Sequence, residues 1–234
     1  MRSILPVLLL AGILSSCADR DCVKGEGELE KRELEVAPFS AIVVQGPMDV
    51  VLHRGDAQRV EIEAQPNVAD LLDTEVRDGQ WILRTRQCIR SHKDITVNIS
   101  VPTLRRIAIE GSGDVSGDAV YTTEQMELEI SGSGDMQVAV EAQQVTATIR
   151  GSGDLQIEGT CETFQGSIHG SGDIDAMDLK CVRASTEVVG SGDLSIHVTE
   201  DLQATVTGSG NITYKGSPTR IDQNVTGSGG ISSR

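Results

Sequence analysis

The chain has 234 residues and a formal net charge of −15 at pH 7; hydrophobic residues make up 38% of it and aromatic ones 2%. That length fits one sizeable domain with a smaller appendage, and a surface this acidic, without a dense Lys/Arg cluster, repels phosphate backbones and excludes nucleic-acid binding. With Phe39, Trp81, Tyr121, Phe164 and Tyr214 as its whole aromatic set, the core must be filled by Val, Ile, Leu and Met, which suits thin, layered β-structure.

Residues 1–17 read MRSILPVLLLAGILSSC. Arg2 supplies a short positive start, and Ile4 to Ile13 form an apolar run within the signal-peptide range and too short to span a bilayer. The run ends in Leu14-Ser15-Ser16-Cys17, which resembles the bacterial lipobox. That resemblance implies a signal peptide over 1–16, cleavage before Cys17, and acylation of the Cys. Several acyl chains anchor far more firmly than one. The alternative is an ordinary secretory signal with a chance Cys. In lipoproteins of this kind an Asp after the Cys marks retention at the inner membrane; Ala18 stands here and points to the outer membrane. Residues 17–37, with KGEGELEKRELE at 24–35, read as a lipidated Cys followed by a flexible tether, or as a tether whose last residues begin a strand.

Residues 38–110 read as a β-rich N-terminal section. FSAIVVQGPMDVVLHRG at 39–55 carries two alternating runs around Gly46-Pro47, a degenerate corner. QRVEIEA at 58–64, QWILRTR at 80–86 and DITVNISVP at 94–102 predict further strands, and PNVADLL at 66–72 predicts a short helical turn.

From residue 111 to 234 the chain repeats itself. GSGD occurs at 111, 132, 151, 170 and 190, then as GSGN at 208 and GSGG at 227, with spacings of 21, 19, 19, 20, 18 and 19 residues. A period near 20 predicts a solenoid. Two residues before each first Gly stand Ile109, Ile130, Ile149, Ile168, Val188, Val206 and Val225, all β-branched. Four after it stand Val115, Met136, Leu155, Ile174, Leu194, Ile212 and Ile231. Apolar residues at steps of two are a strand signature, and columns repeated from coil to coil are a stacking signature. The fold class expected is therefore all-β: a β-solenoid of about 19–20 residues per coil with parallel strands about 4.8 Å apart. Each coil turns at a tight corner made by Gly111 and Gly113, Gly132 and Gly134, Gly151 and Gly153, Gly170 and Gly172, Gly190 and Gly192, Gly208 and Gly210, and Gly227 and Gly229. Glycine supplies positive φ and lets stacked backbones approach, while Ser and Asp hydrogen-bond turn amides. Little follows the last corner, so its edge is the expected place for another subunit to dock.

The run Phe39-Ser40-x-Ile42-x-Val44-x-Gly46, then Asp49-Val50 and the GSG corners, resembles the head GIN domain of putative auto-transporter adhesins, over about 38–231. The resemblance implies a right-handed, single-stranded parallel β-helix, no catalytic residues and a role in cell adhesion.

The Asp column, Asp114, Asp135, Asp154, Asp173 and Asp193, is the sharpest chemical feature. Carboxylates stacked every ~5 Å repel by roughly 3 kcal/mol per neighbouring pair at an effective dielectric of 20. Bonds to turn amides would offset this; so would calcium, for which these five are weak candidates because Ca²⁺ asks for six to eight oxygens and each corner brings one carboxylate. No catalytic residue and no cofactor is expected: a corner ladder of acids is a structural pattern, and His53, His92, His169 and His197 lack metal spacing. Cys88-x-x-x-His92 is a faint metal hint whose other reading is a loop. Cys161 and Cys181 each lie nine residues before the next corner glycine, so they occupy one column of neighbouring coils and are expected to pair; Cys22–Cys88 follows by exclusion. Trp81 and Tyr214 are the aromatics left for a glycan surface, both expected half-buried. The sequence thus predicts a non-catalytic envelope lipoprotein held to the membrane through Cys17, with an unidentified surface protein or glycan as ligand. A periplasmic scaffold is the alternative, and a polysaccharide-active enzyme ranks last.

Overall fold

Between Met136 and Val140 every second side chain is apolar, and again between Val145 and Ile149, but the parity changes on the way. A straight strand cannot turn both sets inward. The coil therefore bends twice: at the glycine corner, and near Gln143, where the pairing of neighbouring coils runs through Ala142–Cys161 and Gln144–Thr163 and skips the residue between. The computed structural model, which describes residues 22–234, shows this throughout. The signal peptide expected over 1–16 and the lipidated Cys17 lie outside the described residues.

β1 (Val23–Lys24) and β2 (Glu30–Glu33) lead to β3 (Ala41–Gly46) and β4 (Asp49–Arg54), which meet at the Gly46-Pro47 corner. β5 (Arg59–Ala64), one helical turn α1 (Pro66–Ala69), β6 (Val76–Arg77), β7 (Gln80–Leu83), β8 (Ile89–Ser91) and β9 (Thr96–Val101) complete the N-terminal section. β10 (Arg106–Gly111) enters the repeats. β11 (Val115–Gly132), β12 (Met136–Gly151), β13 (Leu155–Gly170), β14 (Ile174–Gly190) and β15 (Leu194–Gly208) are one coil each, and β16 (Asn211–Lys215), β17 (Arg220–Gly227) and β18 (Gly230–Ser233) finish the chain. The result is a β-solenoid of about seven turns. Among the described residues sixteen strands join one mixed sheet, and β1 with β8 forms a second.

Neighbouring coils are parallel and in register, so Gly46, Gly111, Gly132, Gly151, Gly170, Gly190, Gly208 and Gly227 stand in one column. At Gly151 φ is +140°, and a Cβ there would lie 2.1 Å from the Gly132 carbonyl oxygen. The second corner glycine serves space alone: a Cβ on Gly153 would lie 2.1 Å from the Gly134 oxygen. The backbones are that close because each corner carbonyl accepts amides of the next coil, as Gly111 O does from Ser133 (2.9 Å) and Gly134 (3.3 Å).

The inward columns fuse into one core. Ile109, Ile130, Ile149, Ile168, Val188 and Val206 are all buried, as are Val115, Met136, Leu155, Ile174, Leu194 and Ile212. Each such side chain contributes roughly 1.5–3 kcal/mol, available only in the stack. The odd residue Gly166 has a packing reason: a Cβ there would meet the Phe164 ring at 2.5 Å and Leu194 Cδ1 at 3.0 Å, so the ring fills the space a side chain would take.

Two expectations need correction. Residues 22–37 are not a free tether: β1 pairs with β8, and β2 lies antiparallel to β5. The string looked like a linker because β2 is exposed on both faces, an edge strand. Its charges are matched across the pair, Lys31 with Glu61 and Glu63 (3.6 Å each) and Glu33 with Arg59 (3.2 Å), and Arg32 reaches Asp70 (2.7 Å). Trp81 is fully buried rather than half-exposed: its ring lies 5.4 Å from Phe39, and its Nε1–H donates to the Asp73 carbonyl (2.9 Å). Tyr214 is half-buried against the core.

Candidate functional site

The corner geometry puts the Asp column on the outside of the stack, one carboxylate per coil. Each carboxylate is tied to the coil that follows it. The Asp135 N–H donates to Asp114 Oδ1 (2.8 Å), Asp154 N–H to Asp135 (2.9 Å), Asp173 N–H to Asp154 (3.0 Å) and Asp193 N–H to Asp173 (2.7 Å). The ladder extends past both ends of the GSGD run. Asp114 N–H donates to Asp49 Oδ1 (3.1 Å), and Asn211 donates to Asp193 Oδ1 from its backbone (2.8 Å) and from its amide Nδ2 (2.9 Å). An amide aimed at each carboxylate offsets the repulsion between rungs.

Asp49 was not among the sequence candidates. Its signal was present: Gly46-Pro47-Met48-Asp49 keeps the Gly-x-x-Asp spacing of GSGD without the second glycine, and Gly46 pairs with Gly111. The five acids expected to line up, Asp114, Asp135, Asp154, Asp173 and Asp193, do so with one oxygen each engaged by an amide. Among the described residues no three His, Cys, Asp or Glu side chains converge as a metal-holding group. The Cys88–His92 hint dissolves, since Cys88 is bonded to Cys22 (Cα–Cα 4.7 Å) and His92 Nδ1 sits 2.7 Å from the Lys93 carbonyl. Cys161 and Cys181 are bonded across neighbouring coils, Cα–Cα 4.8 Å, at the second bend.

Beside the Asp rungs runs a second outward column, Ser116, Gln137, Gln156 and Asp175. The two columns and the floor between them, Val115, Met136 and Leu155, enclose a groove of about 490 Å³ that follows the stacking direction from Asp114 to Asp173. Elsewhere stacked charges alternate in sign: Arg106 bonds Glu127 and Glu129, Glu129 also takes Arg150, Arg183 meets Glu162 (2.5 Å) and Arg220 meets Asp201 (3.1 Å).

The family model for "Putative auto-transporter adhesin, head GIN domain" matches residues 38–218. The chain belongs to this family. Its GIN domain is similar to a crystal structure of a putative adhesin from Bacteroides fragilis, at 26% identity over 91% of this chain and 100% of that one, with a TM-score of 0.86. It is also similar to a putative adhesin from Parabacteroides distasonis, at 27% identity over 92% of this chain and 100% of that one, TM-score 0.77. A putative lipid binding protein from Parabacteroides distasonis shares the GIN-domain fold at 23% identity, covering 91% of this chain and 99% of its own, TM-score 0.75. No curated protein matches the chain.

Proposed function

We propose that the chain is a lipid-anchored envelope protein, held in the outer membrane through Cys17, whose GIN domain is a non-catalytic binding surface with an adhesin-like role. The lipobox-like sequence ending at Cys17 motivates the anchor, and the observation that carries the binding role is the groove along the Asp ladder. It crosses four coils, about 15 Å at ~4.8 Å per coil, and its walls are carboxylates on one side and mostly amides and a hydroxyl on the other. A linear, shallow, polar groove fits an extended ligand: a basic segment of a surface protein, or a glycan held through hydroxyls. Family membership and the names of the adhesin relatives support the same direction.

The test is labelling of a C-terminal epitope on intact cells against permeabilised cells, with Cys17→Ser as companion. Labelling of intact cells, and release of the Cys17→Ser protein from the membrane fraction, is the expected result. Labelling only after permeabilisation would sink the adhesive role and leave a periplasmic scaffold. One observation favours that second reading: on β17, Ile221 and Val225 continue the core columns yet are 41% and 42% exposed. A second copy joined there would bury them, and sedimentation equilibrium would show a dimer that Ile221→Asp abolishes.

A further inference from the structure

β14, β15 and β16 run parallel, and their register sets Lys180 beside His197 and His197 beside Lys215. Leu179, Cys181, Ile196, Val198 and Ile212 point inward and are buried, so the three basic side chains stand together on the outer face. At ~4.8 Å per strand their tips fall within reach of one small ligand. Ser195 and Thr213, paired in register two residues earlier on β15 and β16, add hydroxyl donors on that face. Gly216 ends the column: a Cβ there would lie 2.1 Å from the Val198 carbonyl oxygen, so the chain turns away just after Lys215 with its backbone close against β15.

Two ammonium groups flanking an imidazole in register repel one another and disfavour its protonation. In the stacked ladders described above, each arginine meets a glutamate or aspartate on a neighbouring coil. Here neither lysine is ion-paired among the described residues. The charged groups facing His197 are Lys215 and Lys180, with Asp178 opposing them. Burial, and then the fields of Lys215 and Lys180, hold its imidazole below its ordinary value, against the pull of Asp178. A chain of net charge −15 that sets two lysines without an ion pair on either side of a histidine has left a counter-ion to come from outside.

We propose that Lys180, His197 and Lys215 form an anion site that holds a phosphate group, carried either by a lipid headgroup or by a free small molecule. Two ammonium groups and an imidazolium match the double charge of a phosphate monoester better than the single charge of a carboxylate, and a tetrahedral anion has an oxygen for each donor. Binding draws a proton onto His197.

The test follows the ring resonances of all four histidines by NMR in the protein from residue 22 onward, titrated with inorganic phosphate and with chloride at matched ionic strength. Phosphate is expected to raise the His197 pKa by about one unit or more, a tenfold change in proton affinity, while His53, His92 and His169 serve as controls. Lys180→Gln with Lys215→Gln, both exposed substitutions, is expected to weaken phosphate binding at least about tenfold with an unchanged melting temperature. Two vesicle arms separate the sources: phosphatidic acid in phosphatidylcholine against phosphatidylcholine alone. Co-sedimentation with the first only, lost in the double variant, assigns a lipid phosphate. Response to inorganic phosphate without vesicle binding assigns a free one. Equal His197 shifts in phosphate and chloride together with no vesicle preference, or undiminished binding by the double variant, would overturn the site.

Discussion

In the N-terminal section the core is closed by rings and caps: Phe39 against Trp81, a Trp81 hydrogen bond to Asp73, and a disulfide from Cys22 to Cys88. From Gly111 onward the coils bury mostly Ile, Val and Leu, and the tightest contacts are between backbones. The first region depends on particular side chains and tolerates irregular backbone. The second depends on backbone proximity and tolerates exchange of side chains, which is why the column Ile107, Leu128, Ala147, Gly166 and Thr186 can change size and polarity without losing its place. Different substitutions should therefore break each.

The largest expected effect is at a corner. Gly151→Ala drives a Cβ to 2.1 Å from a neighbouring carbonyl at φ +140° and should cost more than about 4 kcal/mol. Gly46→Ala, at the degenerate corner with φ +106°, meets nothing within 4 Å and should cost about 1–2 kcal/mol from strain alone. Urea midpoints measure both, and equal losses would assign the whole cost to conformation and none to stacking. Trp81→Ala should cost about 3–5 kcal/mol, with hydrogen exchange accelerated over 38–110 while the coils stay protected; uniform acceleration would make the two regions one cooperative unit. The disulfides sharpen the contrast: serine at Cys22 and Cys88, 66 residues apart, should cost about 4 kcal/mol, and alanine at Cys161 and Cys181, 20 apart, about 3, by loop closure. At the ladder, Asp154→Ala should cost about 1–2 kcal/mol by orphaning the Asp173 amide. Asp154→Asn keeps the acceptor and removes a like charge, so it should be neutral or slightly stabilising, with any gain fading in high salt. The smallest effect is from pH. His197 has its folded value lowered, so the unfolded chain takes up the proton first as pH falls below about 6.5. Its contribution is present at neutral pH and lost in acid, and His197→Gln should flatten that part of the stability curve.

The period, the corner glycines and the aliphatic columns were legible because a solenoid writes its stacking register directly into the sequence. The Cys161–Cys181 pair was legible for the same reason. The second bend was marked chiefly by a change of parity between Val140 and Val145, since its column runs through Ala142, Cys161, Cys181 and Val198 and reaches a glycine only at Gly216. The N-terminal section hid more. Charged β2 looked like linker because its stabilising partners are carboxylates and bases from β5 and Asp70, far along the chain. The basic column escaped notice because β14 carries a register shift between Ala176 and Lys180. Counted from its own corner, Lys180 is ten residues on and His197 and Lys215 are seven, so alignment by repeats keeps apart what pairing brings together.

The Asp ladder has a direction: each coil offers its carboxylate to the amide of the coil after it, and the first offer comes from Asp49, outside the repeats. Any coil therefore presents the same donor to the coil before it and the same acceptor to the coil after it. Copying one repeat in tandem leaves every junction intact and adds one step of about 4.8 Å. The length of the solenoid is thus a quantity that gene duplication can set in single increments, with the N-terminal section as the fixed zero of the ruler.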